Sequence, residues 1–368
     1  MIRKLIISIL SALVFTGAFA SDLPNNIYVG DRKEGHVQGI ALDREKGFLY
    51  LSFTTQFLKT DLDGNVIGSI DRIQGHLGAM TLGPDGRVYA SLECKDDAIG
   101  SSIARNLGID NLEHAECTFY VAIIDVDRIT RTGMDPEKDG VMTTVCIKDA
   151  VRDYASGAYG CSGIDGITFA PALGHPDSKL YLYVAYGIYE DLGRKDNDHQ
   201  VLLCYDIARL KKYETPVVFG KVPENGPEKP ARKFFVYTGN TNWGIQNMAY
   251  DNYTGRIYMA VYRGHKAWFP NYQMFSISVD RMPERKVLKG VGEKGWLVPL
   301  SEAGLYDEAS GIYGWNFKWG STGLCPIGDG LWYISENGKD RETGLQYCNA
   351  RLYKWTGNDD RPFEAAAD

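Results

Sequence analysis

Two histidines, His36 and His76, open two near-copies of one phrase, HVQGIALDREKGFLYLS and HLGAMTLGPDGRVYAS, in a chain that has six histidines. An imidazole of ordinary pKa exchanges protons near neutrality, so a repeated histidine at the head of a repeated unit is a candidate for acid/base work. Two carboxylates join them as catalytic candidates, Asp165 and Glu93. Two histidines with a carboxylate could instead hold one divalent metal, calcium or zinc, that polarises a substrate. Gln38, Tyr186, Trp243, Gln246, Asn247, Arg263 and Glu336 are the candidate substrate-binding groups. Arg263 would orient an anionic group such as a uronate.

These residues share a place in a repeat. The phrase returns as GIDGITFAPALGHPDSKLYLYVAYG from Gly163, GIQNMAYDNYTGRIYMAVYRG from Gly244 and GSTGLCPIGDGLWYISENG from Gly320. Each copy reads small residue, apolar run, turn, then aromatic β-rich run, which is the signature of a β-hairpin. The small position falls at Gly39, Gly78, Gly166, Asn247 and Gly323, with spacings of 39, 88, 81 and 76 residues. Further strand-like runs follow each hairpin, giving four strands per unit, with WLVPL as the fourth strand of the fourth unit. The last unit lacks its fourth strand, and NIYVGD (residues 26–31) can supply it. A ring closed by both termini leaves no exposed sheet edge.

The expected fold is therefore an all-β propeller of five four-stranded blades over residues 21–360, with a C-terminal tail at 361–368. Six blades is the alternative, if a hairpin hides in 96–116 or 285–315. In a propeller the start of each innermost strand and the end of the next lie on one face. That face would gather His36, Gln38, His76, Asp165, Gln246 and Asn247 with Glu93, Tyr186, Arg263 and Glu336. The insertions at 95–116, 187–198, 264–271 and 338–346 would wall the same mouth. Their Tyr, Trp, Asp, Lys and Asn content suits sugars or other polar small molecules.

The blade pattern resembles exported propellers with NHL-type or gluconolactonase-like blades. The resemblance implies the fold and little about function. In the gluconolactonase-like proteins a channel calcium is held by Glu, Asn and Asp, and the matching motif is absent here, so that site does not carry over. The functional expectation is an enzyme, a hydrolase or lyase, acting on a carbohydrate or a related small ester or lactone. The alternative is a non-catalytic propeller that binds a glycan or a protein on the same face. In that case His36 and His76 only bond neighbouring backbone.

Arg3 and Lys4, an apolar run over residues 5–16 and small residues at Ala18 and Ala20 read as a secretory signal cleaved after Ala20. The expected mature chain is periplasmic or secreted, without a membrane span, and monomeric. Its charge balance of 38 basic against 47 acidic residues argues against nucleic acid as a partner. Export permits disulfides. Cys94 and Cys117 bracket the first insertion and are the expected pair, with Cys146 and Cys161 a weaker one. No GxSxG, HExxH or phosphate-loop motif occurs. The segment DPEKDG resembles half a calcium loop, but Cys146 stands where the twelfth-position acid belongs, so it reads as a turn.

Overall fold

A computed structural model describes residues 23–110, 117–219 and 225–367. The chain is a five-bladed β-propeller. Blade 1 is Val37–Asp43, Phe48–Phe53, Gln56–Asp61 and Val66–Ile70. Blade 2 is His76–Leu82, Val88–Cys94, Thr118–Ile124 and Met142–Cys146, with Thr215–Pro216 added at its edge. Blade 3 is Cys161–Ala172, His175–Ile188, His199–Tyr205 and Arg232–Tyr237. Blade 4 is Thr241–Asp251, Arg256–Arg263 and Met274–Ser278, and blade 5 is Leu324–Gly328, Leu331–Lys339, Gln346–Trp355 and the N-terminal Asn26–Arg32. The ring closes as expected, antiparallel, with Asn26 opposite Arg351 and Ile27 opposite Ala350.

Three expectations need correction. WLVPL does not complete blade 4. Lys294–Leu297 runs parallel to Arg232–Tyr237 and extends blade 3, while Trp315 bridges Met274 at the outer side of blade 4. The hairpin within 285–315, Leu305–Asp307 with Ile312–Gly314, is two-stranded and makes no sixth blade. The expected tail is also part of the propeller, because Phe363–Ala365 pairs with the end of Gln346–Trp355 and Phe363 is buried. The signal segment expected at residues 1–20 lies outside the described residues. No helix among the described residues is long and apolar enough to cross a membrane.

Each pair of neighbouring blades encloses its own apolar core, so five cores share the burial of a large chain. At the axis the innermost strands pack directly on one another, and this explains the small residue in the repeat. A Cβ on Gly39 would sit 2.8 Å from the Met80 backbone nitrogen. In blade 4 the position is Asn247, whose side chain bridges instead of shrinking. Its Nδ2 donates to the carbonyls of Gln38 at 2.7 Å and Ser321 at 2.8 Å, tying blade 4 to blades 1 and 5.

Asn247→Ala would leave one buried and one half-buried carbonyl without their donor, so it is expected to cost about 2–4 kcal/mol. Urea unfolding measures this, and an unchanged midpoint would remove the bracket.

His199 lies in blade 3 with its ring 5.1 Å from that of Tyr237 and its Nδ1 buried without a partner. Burial, reinforced by the Lys289 charge, pushes it down to about 4. The unfolded chain takes up this proton below about pH 6.5, so the folded state is penalised as pH falls from there toward the folded value. Relative to His199→Phe, the wild type is expected to lose roughly 3 kcal/mol over that window. A stability difference that stays flat with pH in urea titrations would contradict this.

Candidate functional site

The face where innermost strands begin holds a polar cluster built around Glu93 and Asp165. Glu93 ends the second strand of blade 2 directly opposite His76. Its Oε1 accepts from the Ile164 backbone N–H at 2.9 Å, and its Oε2 lies 2.8 Å from the Lys95 ammonium. Lys95 also donates to the Ser162 carbonyl at 3.0 Å and is 4 % exposed. The strand Cys161–Ala172 therefore meets blade 2 through two bonds, three residues and one residue before Asp165. Gly163 makes this approach possible, since a Cβ there would lie 1.8 Å from Glu93 Oε1.

Asp165 is 7 % exposed. It accepts a long 3.4 Å bond from the Ala79 N–H and a bond from the Gln246 side chain. Burial, then the Glu93 charge, pushes it well above the usual carboxylate range. Burial also raises Glu93, but the Lys95 charge and hydrogen bond and the Ile164 N–H oppose that rise. One carboxyl is thus held by strong donors at both oxygens, while its neighbour is held weakly. Environments that differ this way separate an acid from a base.

His76 is neutral. Burial, then the charges of Lys95 and His36, push it down to about 3, so its 3.8 Å approach to Glu93 is not an ion pair. Its Nδ1 is buried with no hydrogen-bond partner. His36 Nδ1 lies 2.8 Å from the Val37 carbonyl, and its Nε2 lies 3.1 Å from Gln38 Nε2. Gln246 donates to the carbonyl of Trp243 at 3.0 Å. Trp243 adopts a left-handed φ of 68° and is 38 % exposed, its ring edge-on to that of Tyr189 at 5.5 Å. Strain of this kind in a large residue concentrates at functional sites.

The structure thus brings together His36, Gln38, His76, Glu93, Asp165, Gln246 and Asn247, with Trp243 at the rim. It places three expected residues differently. Tyr186 is fully buried between blades 2 and 3, where its hydroxyl donates to Asp153 at 2.9 Å. The bulge between Ile164 and Ile167 shifts the pairing beside it, and a one-residue shift exchanges the faces of a strand. Glu336 turns into blade 5, accepting from the Tyr353 hydroxyl and facing Arg351. Its neighbour Asn337 meets Thr322 at 2.8 Å in its place. Arg263 sits exposed at the end of its strand. Asn247 is at the mouth, but its amide is committed to backbone.

Sequence reasoning missed Lys95 and Tyr262. Tyr262 bonds Ser321 and is pushed up to about 12, by burial first and by Asp165 second. The missed signal at Lys95 was a cation two residues beyond Glu93 at the mouth of an insertion. The expected Cys94–Cys117 disulfide is absent, and both thiols are free. Cys94 Sγ points to the Gln74 carbonyl at 3.6 Å, whereas Cys117 Sγ lies 3.4 Å from the Asp96 nitrogen and 3.8 Å from the Tyr154 hydroxyl. Cys146 and Cys161 are not joined in a disulfide either. No three His, Cys, Asp or Glu side chains gather to hold a metal among the described residues. The expected two-histidine, one-carboxylate set does not form, since the Lys95 ammonium stands against Glu93.

The walls are the insertions of blades 2, 3 and 4. The first carries the helix Ala98–Leu107, capped by the Asp97 side chain, and its residues 111–116 lie outside the described residues. The next two are stapled by Lys266, whose buried ammonium donates to the Arg194 carbonyl, Asn197 and Asp198.

No protein-family model and no curated protein matches the chain. Among solved structures it is similar to the soluble aldose sugar dehydrogenase of Escherichia coli, at 12 % identity and a TM-score of 0.38, covering 89 % of this chain and 99 % of that one. It is similar to a Bacillus subtilis arabinanase at 10 % identity and a TM-score of 0.38, covering 89 % and 97 %. A Trichoderma reesei carbohydrate-active enzyme of family AA12 matches at 10 % identity and 0.39, covering 85 % and 80 %. Likeness this distant carries nothing about chemistry, which rests on this chain's own residues.

Proposed function

We propose that the protein is an exported enzyme that hydrolyses a carbohydrate, or a related small ester or lactone, by acid/base chemistry at this mouth. The observation that carries the reading is the unequal pair of buried carboxyls, Glu93 held by Lys95 and Ile164, Asp165 held weakly beside it. Asp165 gives its proton to the leaving oxygen as the carbon–oxygen bond breaks. Glu93 takes a proton from the water whose oxygen bonds to that carbon, and exchange with solvent resets both groups. Neutral His76, Gln246 and Tyr262 offer hydrogen bonds to hydroxyls. Trp243 and Tyr189 offer an aromatic rim to a sugar face.

The test is a panel of neutral oligosaccharides, uronate-containing oligosaccharides and sugar lactones, with product analysis to separate hydrolysis from elimination. Turnover by the wild type and not by Asp165→Asn supports the reading. Equal turnover by both would overturn it.

A non-catalytic glycan-binding propeller is the second reading. The exposed Trp243–Tyr189 pair favours it, because the carboxyls below are nearly closed to solvent. Under it, calorimetry finds glycan binding that Asp165→Asn keeps and Trp243→Ala loses.

A further inference from the structure

Among the described residues Lys95 is the one ammonium in contact with Glu93, and nothing in the repeat marks it. From the end of blade 2 it reaches Glu93 and the strand that carries Asp165. Its Nζ lies 2.8 Å from Glu93 Oε2 and 3.0 Å from the Ser162 carbonyl. Ser162 stands three residues before Asp165 on the same innermost strand. The two contacts do different work. The first closes the remaining oxygen of Glu93, whose other oxygen already accepts from Ile164. The second, with that Ile164 bond, clamps the segment that delivers Asp165 to the mouth.

We propose that Lys95 is a positioning residue that holds Glu93 as the fixed carboxylate and clamps the Asp165 strand, leaving Asp165 as the group that carries the exchangeable proton. This rests on the acid/base reading above. The charges around the cluster agree with the division of roles. Lys95 acts on Glu93, Asp165 and His76 alike, lowering each, and on Glu93 it adds a direct hydrogen bond. Asp97 opposes it at Glu93, while His36 acts on His76. Burial pushes the nearby Cys94 and Cys161 thiols up to about 12, so they stay uncharged, and Tyr262 is held protonated beside Asp165. A buried ammonium against one of two carboxyls fixes which of them ionises first.

The experiment is a pH titration of carbon-13-labelled side-chain carboxyls by NMR on the full chain. Glu93→Gln and Asp165→Asn assign the two signals. In the wild type Glu93 is expected to ionise at lower pH than Asp165. In Lys95→Met, and in Lys95→Gln as a second variant, Glu93 is expected to move up by about one pH unit or more. The acid limb of the pH–rate profile, on any substrate the panel yields, should move with it. Asp165 ionising at or below Glu93 in the wild type would overturn the proposal without needing any variant to fold. Folded Lys95→Met with an unmoved Glu93 signal would overturn it too. If the wild-type order and the Lys95 shift both hold while Asp165→Asn stays fully active, it is the acid/base reading that fails.

Discussion

Deleting residues 23–32 should cost the propeller roughly 5 kcal/mol or more, because it removes the strand that closes the ring. Ile27 and Val29 are 1 % and 2 % exposed and belong to the core between blades 5 and 1. Burying two such side chains contributes about 1.5–3 kcal/mol each, and the ladder to Gln346–Trp355 adds to this. The loss also opens that strand as an unpaired edge, a template for aggregation. The Leu352 N–H would lose the Asn25 carbonyl and the Tyr333 hydroxyl would lose the Pro24 carbonyl. The expected result is a drop in melting temperature of about 10 °C or more, with a concentration-dependent rise in light scattering. A truncated chain that melts within about 2 °C of the full one would show that the terminal strand is ornamental rather than closing.

Asp165→Asn should lower turnover by about 10²–10⁴ while leaving the fold in place. Asn keeps the volume and can still accept from Ala79, and it removes only the exchangeable proton. The pH dependence gives the sharper reading. A carboxyl whose pKa is raised by burial and by the Glu93 charge works as an acid below that raised value. Activity should therefore fall as pH rises through it, and fall again on the acid side as Glu93 takes up a proton. In Asp165→Asn the alkaline limb should vanish from what activity is left, since nothing remains to lose that proton. A variant that keeps the wild-type alkaline limb would assign it to a group other than Asp165.

Ring closure and the role of Asp165 depend on different kinds of information in the chain. Closure was legible in the sequence because it is a counting argument. Five hairpins of one pattern lie in the chain, the last lacks a partner strand, and a β-rich run waits at the other end. The repeated glycine was legible for the same reason, since every blade meets the same crowding at the axis. His36, His76, Glu93 and Asp165 could be placed at one mouth because strand direction alone decides which face an end belongs to.

What the sequence did not determine is which way each side chain turns and what it meets there. Tyr186 and Glu336 stand at strand ends equivalent to Glu93, yet one is buried among Asp149, Asp153 and Lys233 and the other bonds Tyr353. Bulges in the innermost strands shift the alternation by a residue, and a bulge has no fixed mark in a sequence that already carries glycine at most of these positions. The cysteines bracket the insertion on neighbouring strands, but their sulfurs point to different neighbours. The role of Lys95 is non-local in the same sense. Its partners Glu93 and Ser162 lie 2 and 67 residues away, and only the docking of blade 3 against blade 2 makes one ammonium touch both. The repeat determined the ring and the face, because both follow from local pattern multiplied five times. The tertiary structure decided the environment of each carboxyl, because the charge state of a buried carboxyl depends on what the neighbouring blade presses against it.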